Sequence, residues 1–593
     1  MSLEPEFGRA GPERVAALRE ELARRGLDGF LVPRADEHQG EYVAPSSQRL
    51  AWLTGFTGSA GIAVVLPDRA AIFVDGRYTI QVRAEVDTTL FEPLHLTELP
   101  PSRWLAEALP TGARLGFDPW LHTADQLDAY RAACERANAV LVPSDGNPVD
   151  AVWLGRPPAP SAAIVAHDLT HAGRAAADKR AEIGRLLAED RLDAAVLSDP
   201  ASVAWLLNLR GGDVAYTPLP LAFAVVQADG SAELFVDSGR LAVAPEAVVR
   251  PPEEFEAALD ALAGRRVRVD QATCPFAVVD RLVKAGAKVD KGADPCAVPK
   301  ACKNPVELKG ARAAHRRDGA ALVRFLAWLA AEGNADELSA ADRLEAFRRD
   351  GDLFQGLSFP TIAGAGPNGA IVHYRSSAET NRRLQPGELF LLDSGAQYLD
   401  GTTDVTRTIA VGSPGAEERR RFTLVLKGHI GIATAVFPKG TTGSQLDVLA
   451  RRHLWAAGLD FDHGTGHGVG SYLSVHEGPQ RISKVGNSVP LRPGMILSNE
   501  PGYYKAGAYG IRIENLLAVT DAPAPDGAER ELLGFETLTL VPIDRALIEA
   551  GLLSAEERAW VDAYHARVRA DIAPLLDEGA RNWLVRATRP LMD

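Results

Sequence analysis

Cysteine is scarce: Cys134, Cys274, Cys296 and Cys302 are the whole complement of 593 residues. So few in so long a chain do not make a disulfide framework. Cys296 and Cys302 are too widely spaced for a CxxC pair, and all four read as ordinary thiols. No apolar run reaches the roughly 18 residues that a membrane-spanning helix needs, so no membrane association is expected. The opening stretch, MSLEPEFGRAGPERVAALREEL, has no basic segment followed by an apolar one. No secretory signal is expected from it, and the cytoplasm is the expected compartment. A basic excess is missing as well: Lys+Arg 64 against Asp+Glu 78 leaves a net charge of −14, which argues against nucleic acid as a partner. What is present is ordinary globular composition, 46% hydrophobic and 24% charged, in a chain long enough for several domains.

Along the chain, helical and strand patterns alternate, which predicts an α/β (α+β) architecture. Residues 12–26 read as an amphipathic helix and 27–33 as a buried strand. Residues 51–66 (AWLTGFTGSAGIAVVL) and 70–77 (AAIFVDGR) then read as strand, glycine-rich turn and strand. The order returns from 179–200, a helix running into a strand. Ala204-Trp205-Leu206 repeats Ala51-Trp52-Leu53, and FVDSGR (235–240) repeats FVDGR (73–77), the signature of an internal duplication. Proline-rich 147–162 and the stretch 294–307 mark the joints. The expected domains are therefore 1–158, 159–304 and 305–593, the last opening with a helix over 306–333 and closing with a helical tail whose aromatic residues belong to its core.

The chemistry lies in residues 389–515. Asp393, Asp404, His467, Glu500 and Glu514 are potential metal ligands, and three of them follow or interrupt apolar strand-like runs (LFLL, MILS, YGIRI). A buried carboxylate in such a place is costly unless paired or metal-bound. Four carboxylates and one imidazole form a hard, oxygen-rich set suited to two Mn-, Co- or Zn-type ions. Asp393 and Asp404 stand eleven positions apart around a turn-forming Asp-Gly, so a hairpin can bring both to one face. His467 is expected in a glycine-rich loop. His373, His463 and His476 cluster near it in the sequence and are suited to orienting a substrate or stabilising an oxyanion. His315, His429, His453 and His565 read as structural.

These residues and their surrounding texts, HGTGHGVG, VHEGP and NEPGYY followed by GIRIEN, resemble the pita-bread metallopeptidases. That family includes methionine aminopeptidase, prolidase and aminopeptidase P, with creatinase as a metal-free relative. Two creatinase-like domains before the catalytic one, with a C-terminal tail after it, resemble the long proline-directed branch. The resemblance implies two divalent ions per chain, Mn²⁺ by family habit with Co²⁺ or Zn²⁺ as alternatives, held by Asp393, Asp404, His467, Glu500 and Glu514. It makes Glu500 the general base as well, with His373, His463 and His476 as catalytic and substrate contacts. Tyr504, Arg512 and, in the first domain, Arg77 are implied to meet the substrate or support its site. The implied reaction removes the first residue from peptides with proline second, a metal-bound hydroxide attacking the scissile carbonyl, in a cytoplasmic homodimer. A dipeptide-restricted prolidase and a metal-free binding protein on the same fold are the alternatives.

Overall fold

The computed structural model describes residues 11–591, so the first ten residues of the opening stretch lie outside the described residues. The chain forms two units, Met1–Leu169 with Arg174–Ala297, and Thr170–Gly173 with Val298–Asp593.

The first unit carries the duplication in its topology. Helix α1 (Pro12–Arg24) leads into β1 (Gly29–Pro33), followed by α2 (Arg49–Thr54), β2 (Ile62–Val65), β3 (Ala70–Val74), β4 (Glu92–His95), β5 (Arg114–Phe117) and β6 (Val140–Pro143). The second half repeats this with α3 (Ala176–Glu189), β7 (Ala194–Leu197), α4 (Pro200–Leu207), β8 (Phe223–Gln227), β9 (Ala232–Phe235), β10 (Val248–Arg250), β11 (Arg266–Val269) and β12 (Lys288–Lys291). The two six-stranded sheets run in the orders β4-β3-β2-β1-β5-β6 and β10-β9-β8-β7-β11-β12. Both follow one scheme, the strands before and after the first crossover pairing antiparallel and the outer ones parallel. Alternation explains the unbroken apolar runs. Phe30, Val32, Ala63 and Val65 pack into one cluster, while Leu31, Ile62, Val64 and Phe73 pack into another on the opposite face. A sheet covered on both faces needs apolar residues at every position.

One expectation is corrected. Ala51-Trp52-Leu53 lies on α2, a helix buried along its whole length and ended by Gly55 at φ 81°, not on a strand. Its repeat, Ala204-Trp205-Leu206, lies on the equivalent α4.

In the second unit, α5 (Pro305–Ala331) starts at Asn304, whose side chain accepts from the backbone N–H of Val306 and Glu307 while Glu307 caps back. Next come α6 (Glu337–Arg349), β13 (Ile362–Ala365), β14 (Leu389–Ser394) and β15 (Val405–Ala410), the three strands forming one antiparallel sheet with β14 central. Then follow α7 (Ala416–Ala433), α8 (Gly443–Trp455), β16 (Gly466–Gly468), β17 (Glu477–Ile482), β18 (Ile496–Asn499), β19 (Gly502–Lys505), β20 (Tyr509–Arg512), β21 (Asn515–Ala522) and β22 (Leu532–Thr537). Strands β22-β21-β18-β16-β17 form most of a second sheet, and β19 and β20 form a hairpin. The tail helices α9 (Ala555–Ile572) and α10 (Glu578–Ala587) complete the core: Val561, Tyr564, Val568, Ile572 and Leu584 share a cluster with Phe422, Leu517 and Ile543. No helix among the described residues is long and apolar enough to cross a membrane.

Three buried histidines set an acid limit on this fold. Burial pushes His122, His429 and His565 from 6.5 down to about 3. Each is neutral in the folded chain and free to charge in the unfolded one. Below pH 6.5 each therefore costs stability, at about 1.4 kcal/mol per pH unit. Between pH 7 and 4.5 the thermal midpoint of His565→Gln is expected to gain on that of the parent chain; a difference between the two that does not change with pH contradicts this reading.

Candidate metal centre

Strand periodicity places the first carboxylate. On β14, Phe390 and Leu392 face the cluster containing Leu322, Phe325 and Leu344, whereas Leu391 faces Ile362, Tyr374 and Tyr504. Asp393 has the parity of Leu391 and so points the same way. Its register partner on β15 is Thr406, which puts Asp404 just before that strand, as a hairpin-like connection requires. Thr406 Oγ1 donates to Glu514 Oε2 at 2.7 Å. Glu514 itself lies in the short connection between β20 and β21 rather than within a strand.

His467 is on the short strand β16, not in a loop, and its glycine neighbours explain why. A Cβ at Gly466 would stand 2.0 Å from the Ser498 carbonyl oxygen, and one at Gly468 would stand 2.1 Å from that of Glu477. Only glycine lets β16 lie this close to β17 and β18. Ser498 Oγ accepts from the His467 N–H at 2.9 Å and donates to Glu500 Oε1 at 3.2 Å, tying two candidate ligands together.

One ligand atom each from Asp404, His467 and Glu514 lies within 4.8 Å of the others. His467 Nε2 is 3.5 Å from both Asp404 Oδ2 and Glu500 Oε1, which brings Glu500 into the group. Asp393 Oδ2 accepts from Arg512 Nη2 at 2.7 Å, while its Oδ1 is buried with no hydrogen-bond partner.

Burial, together with the charges of Asp404, Glu500 and Asp393, holds the Glu514 carboxyl well above its usual range. Burial raises Glu500 to about 7 against the pull of His467 and Arg512. Asp393 is raised by burial despite Arg512. Burial disfavours charging of His467, but Asp404 and Glu500 outweigh it and carry the imidazole up to about 9. The protein alone can hold this set only by retaining protons. Positive charge placed among these oxygens removes that cost, and the orphaned Asp393 Oδ1 gains a partner. The donor set thus fits divalent cations, with Asp393, Asp404, His467, Glu500 and Glu514 as the residues able to hold them.

Around the ligands, Arg512 is buried and donates to Asp393, to Thr406 Oγ1 at 3.2 Å and to the Tyr504 hydroxyl at 2.6 Å. The Tyr504 hydroxyl also meets His463 Nε2 at 2.8 Å, and burial pushes its pKa up to about 12. His476 is exposed, its ring edge-on to His467 at a centroid distance of 4.3 Å. His373 lies just after Val372, whose carbonyl accepts from Arg512 Nη2 at 3.5 Å. Arg77 belongs to the first unit, where its guanidinium forks onto Asp75 at 2.7 and 3.0 Å and lies over the Tyr78 ring. His315, His429 and His565 are buried and bonded to backbone groups, as structural histidines are.

Thr406, Ser498 and Arg407 are supporting residues that the sequence did not single out. Arg407 has the opposite parity from Thr406 on β15, and its buried guanidinium donates on the far side to the carbonyls of Glu514, Pro542 and Val541. The alternation Thr-Arg-Thr is the one signal that could have revealed it.

Carboxylates converging with one imidazole at the meeting of two sheets make a candidate metal centre. Residues 309–521 match Metallopeptidase family M24, residues 531–591 match the C-terminal region of that peptidase, and residues 14–152 and 155–307 each match a Creatinase/Prolidase N-terminal domain. Aminopeptidase P2 of Arabidopsis thaliana is 41% identical, covering 98% of this chain and 88% of that protein. Aminopeptidase P1 of Lotus japonicus is 38% identical over 97% of this chain and 99% of its own. The crystal structure of the X-prolyl aminopeptidase of Caenorhabditis elegans, described as a cytosolic enzyme with a di-nuclear active site, superposes with a TM-score of 0.93 at 34% identity, covering 98% of this chain and 99% of that one. The chain belongs to metallopeptidase family M24, with two creatinase-like N-terminal domains preceding a pita-bread catalytic domain.

Proposed function

We propose that the chain is an Xaa-Pro aminopeptidase, removing the first residue from peptides whose second residue is proline. The observation that carries this is the convergence of Asp404, His467, Glu500 and Glu514, with the charge of Asp393 acting on them, in a chain similar over its full length to proteins of that name. When bound there, two divalent ions supply Lewis acidity and bring the pKa of water toward neutrality. Glu500, at the edge of the cluster, takes the proton of the attacking water. It returns that proton to the prolyl nitrogen, which as a tertiary amide has no N–H of its own and leaves only when protonated. His373, His463 and His476 orient the peptide, and His373 and His476 donate to the oxygen of the scissile carbonyl as charge develops there. Tyr504 fixes His463, and Arg512 fixes both Tyr504 and Asp393. Ile371 and Tyr504, the part-exposed members of an apolar cluster backed by buried Ile362, Tyr374 and Leu391, are the apolar groups available to a proline ring. Arg77 is assigned to the substrate on resemblance alone.

The set accepts Mn²⁺, Co²⁺ and Zn²⁺ alike, and the family resemblance favours Mn²⁺. A cytoplasmic homodimer is the assembly and compartment this reading carries. Domain limits near 158 and 304 complete it. Neither a dipeptide-restricted enzyme nor a metal-free binding protein is favoured, because the ligand set is intact and the full-length relatives are aminopeptidases. Metal-stripped protein assayed on Xaa-Pro-Yaa and Xaa-Pro, with Mn²⁺, Co²⁺ or Zn²⁺ added back, is the test. Metal-restored tripeptide cleavage is expected. Cleavage of the dipeptide alone moves the assignment to a prolidase, and no cleavage under any ion removes it.

A further inference from the structure

The segment between β13 and β14 carries His373, yet it has little regular structure of its own, a single 3₁₀ turn over Gly366–Ala370. What holds it is a carboxylate from another element. Glu337 is the first residue of α6, where an acidic side chain is ordinary. Its oxygens, however, are turned toward this segment. Oε1 accepts from the N–H of Ala365 at 2.7 Å and from Asn368 Nδ2 at 2.9 Å. Oε2 accepts from the Tyr374 hydroxyl at 2.8 Å and from the N–H of Arg382 at 3.0 Å. The Glu337 N–H in turn donates to the Arg382 carbonyl at 3.0 Å. Glu337 is fully buried, so these bonds are what makes its charge tolerable there, and they fix both ends and the middle of the segment.

The Tyr374 hydroxyl also contacts Thr380 Oγ1 at 3.0 Å and Asn368 Nδ2 at 2.8 Å, while its ring packs with Ile362 and Leu391. The segment is pressed onto the strand that bears Arg512. A Cβ at Gly510 would stand 1.7 Å from the Gly369 carbonyl oxygen, and one at Gly364 would stand 2.7 Å from Gly369 Cα. Val372 is fastened to Arg512 and Tyr374 to Glu337, and His373 is the residue between them.

We propose that Glu337, acting through Tyr374, is a positioning residue that sets the place of His373 in the site. This rests on the reading of His373 as a group that meets the substrate. Losing the clamp leaves the metal ligands untouched and displaces the imidazole, and a displacement of about 1 Å in a reacting array can cost up to a hundredfold in rate.

A double-mutant cycle tests it, measured as kcat and KM on an Xaa-Pro-Yaa peptide with bound metal and Tm recorded for each variant. Tyr374→Phe removes one hydroxyl and is expected to lower kcat about tenfold, with KM within about twofold and metal content unchanged. Glu337→Gln, of equal volume, is expected to lose more. In a His373→Ala background, Tyr374→Phe is expected to add less than about twofold, because the group it positions is gone. Equal fractional losses in both backgrounds, or an undiminished kcat in Tyr374→Phe and Glu337→Gln, overturn the proposal. Full activity of His373→Ala overturns the reading of His373 and the proposal with it. Metal-dependent cleavage by the wild type in the same assay shows separately whether the proposed function stands.

Discussion

Glu514→Gln is expected to cripple peptide hydrolysis while making the metal-free protein more stable. The carboxylate is buried against Asp404, Glu500 and Asp393, whose charges together with burial hold its pKa well above the usual range. A carboxyl raised in the folded state and ordinary in the unfolded one lowers stability as pH rises from the ordinary carboxylate range through its folded pKa. Glu500, raised to about 7, adds the same trend. The stripped wild type therefore loses stability between pH 5 and pH 8. Glutamine keeps the shape and can still accept from Thr406 Oγ1, but it removes one charge from the cluster. The stripped variant should melt higher than the stripped wild type, and the gap should widen from pH 5 to pH 8. Adding Mn²⁺ should reverse the order, because an ion that binds only the folded state stabilises it by mass action, and the variant binds it poorly. Activity should fall by about a thousandfold, ~4 kcal/mol of transition-state stabilisation. Calorimetry with and without metal, metal analysis and a peptide assay measure all of this. A stripped variant that melts lower than the stripped wild type would show that Glu514 serves the fold rather than a cation.

That opposition between stability and activity is also why the candidate ligands stood out in the sequence. Asp393 at the end of LFLL, and Glu500 and Glu514 beside MILS and YGIRI, break the apolar rule of buried strands where nothing local compensates them. The start of α5 was legible for a local reason too, since Asn304, Pro305 and Glu307 carry their capping partners within one turn. The misassigned stretch shows the limit. Arg49–Thr54 is buried on every side, so its apolar residues have no period to distinguish a short helix from a strand, and Gly55 was the available stop signal. Support for the site was least legible, because it is made over long sequence distances. Glu337 resembles any acidic residue opening a helix until Tyr374 and Arg382 are folded onto it. Arg407 resembles a solvent-facing residue of an alternating strand until residues more than a hundred positions away surround it.

Arg407 carries the second large expectation. Its guanidinium is buried, and burial lowers its pKa, yet its hydrogen-bond partners are neutral oxygens. Nε donates to the Pro542 carbonyl at 3.0 Å, and Nη1 to the carbonyls of Thr406 at 2.8 Å and Glu514 at 2.6 Å. Nη2 donates to Asn515 Oδ1 at 2.8 Å, the Val541 carbonyl at 2.7 Å and the Tyr564 hydroxyl at 3.0 Å. One planar fork thus ties the backbone of Glu514 to the tail helix α9 through Tyr564. Arg407→Met fills the volume but leaves these acceptors buried and unpaired, at about 1–3 kcal/mol for each that finds no other donor. The loss should exceed ~3 kcal/mol, and trypsin should cut α9 and α10 in the native protein. Activity should fall about a hundredfold, because the carbonyl that fixes Glu514 has lost its donor. Arg407→Lys keeps the charge, but its three donors on a flexible stem cannot span this set, and an intermediate loss is expected. Pulse proteolysis, Tm and kcat on the two variants give the answer. Wild-type protease resistance in Arg407→Met would mean that the tail is held by its apolar face alone. Wild-type kcat in that variant would mean that Glu514 is placed by Thr406 without help from behind the strand.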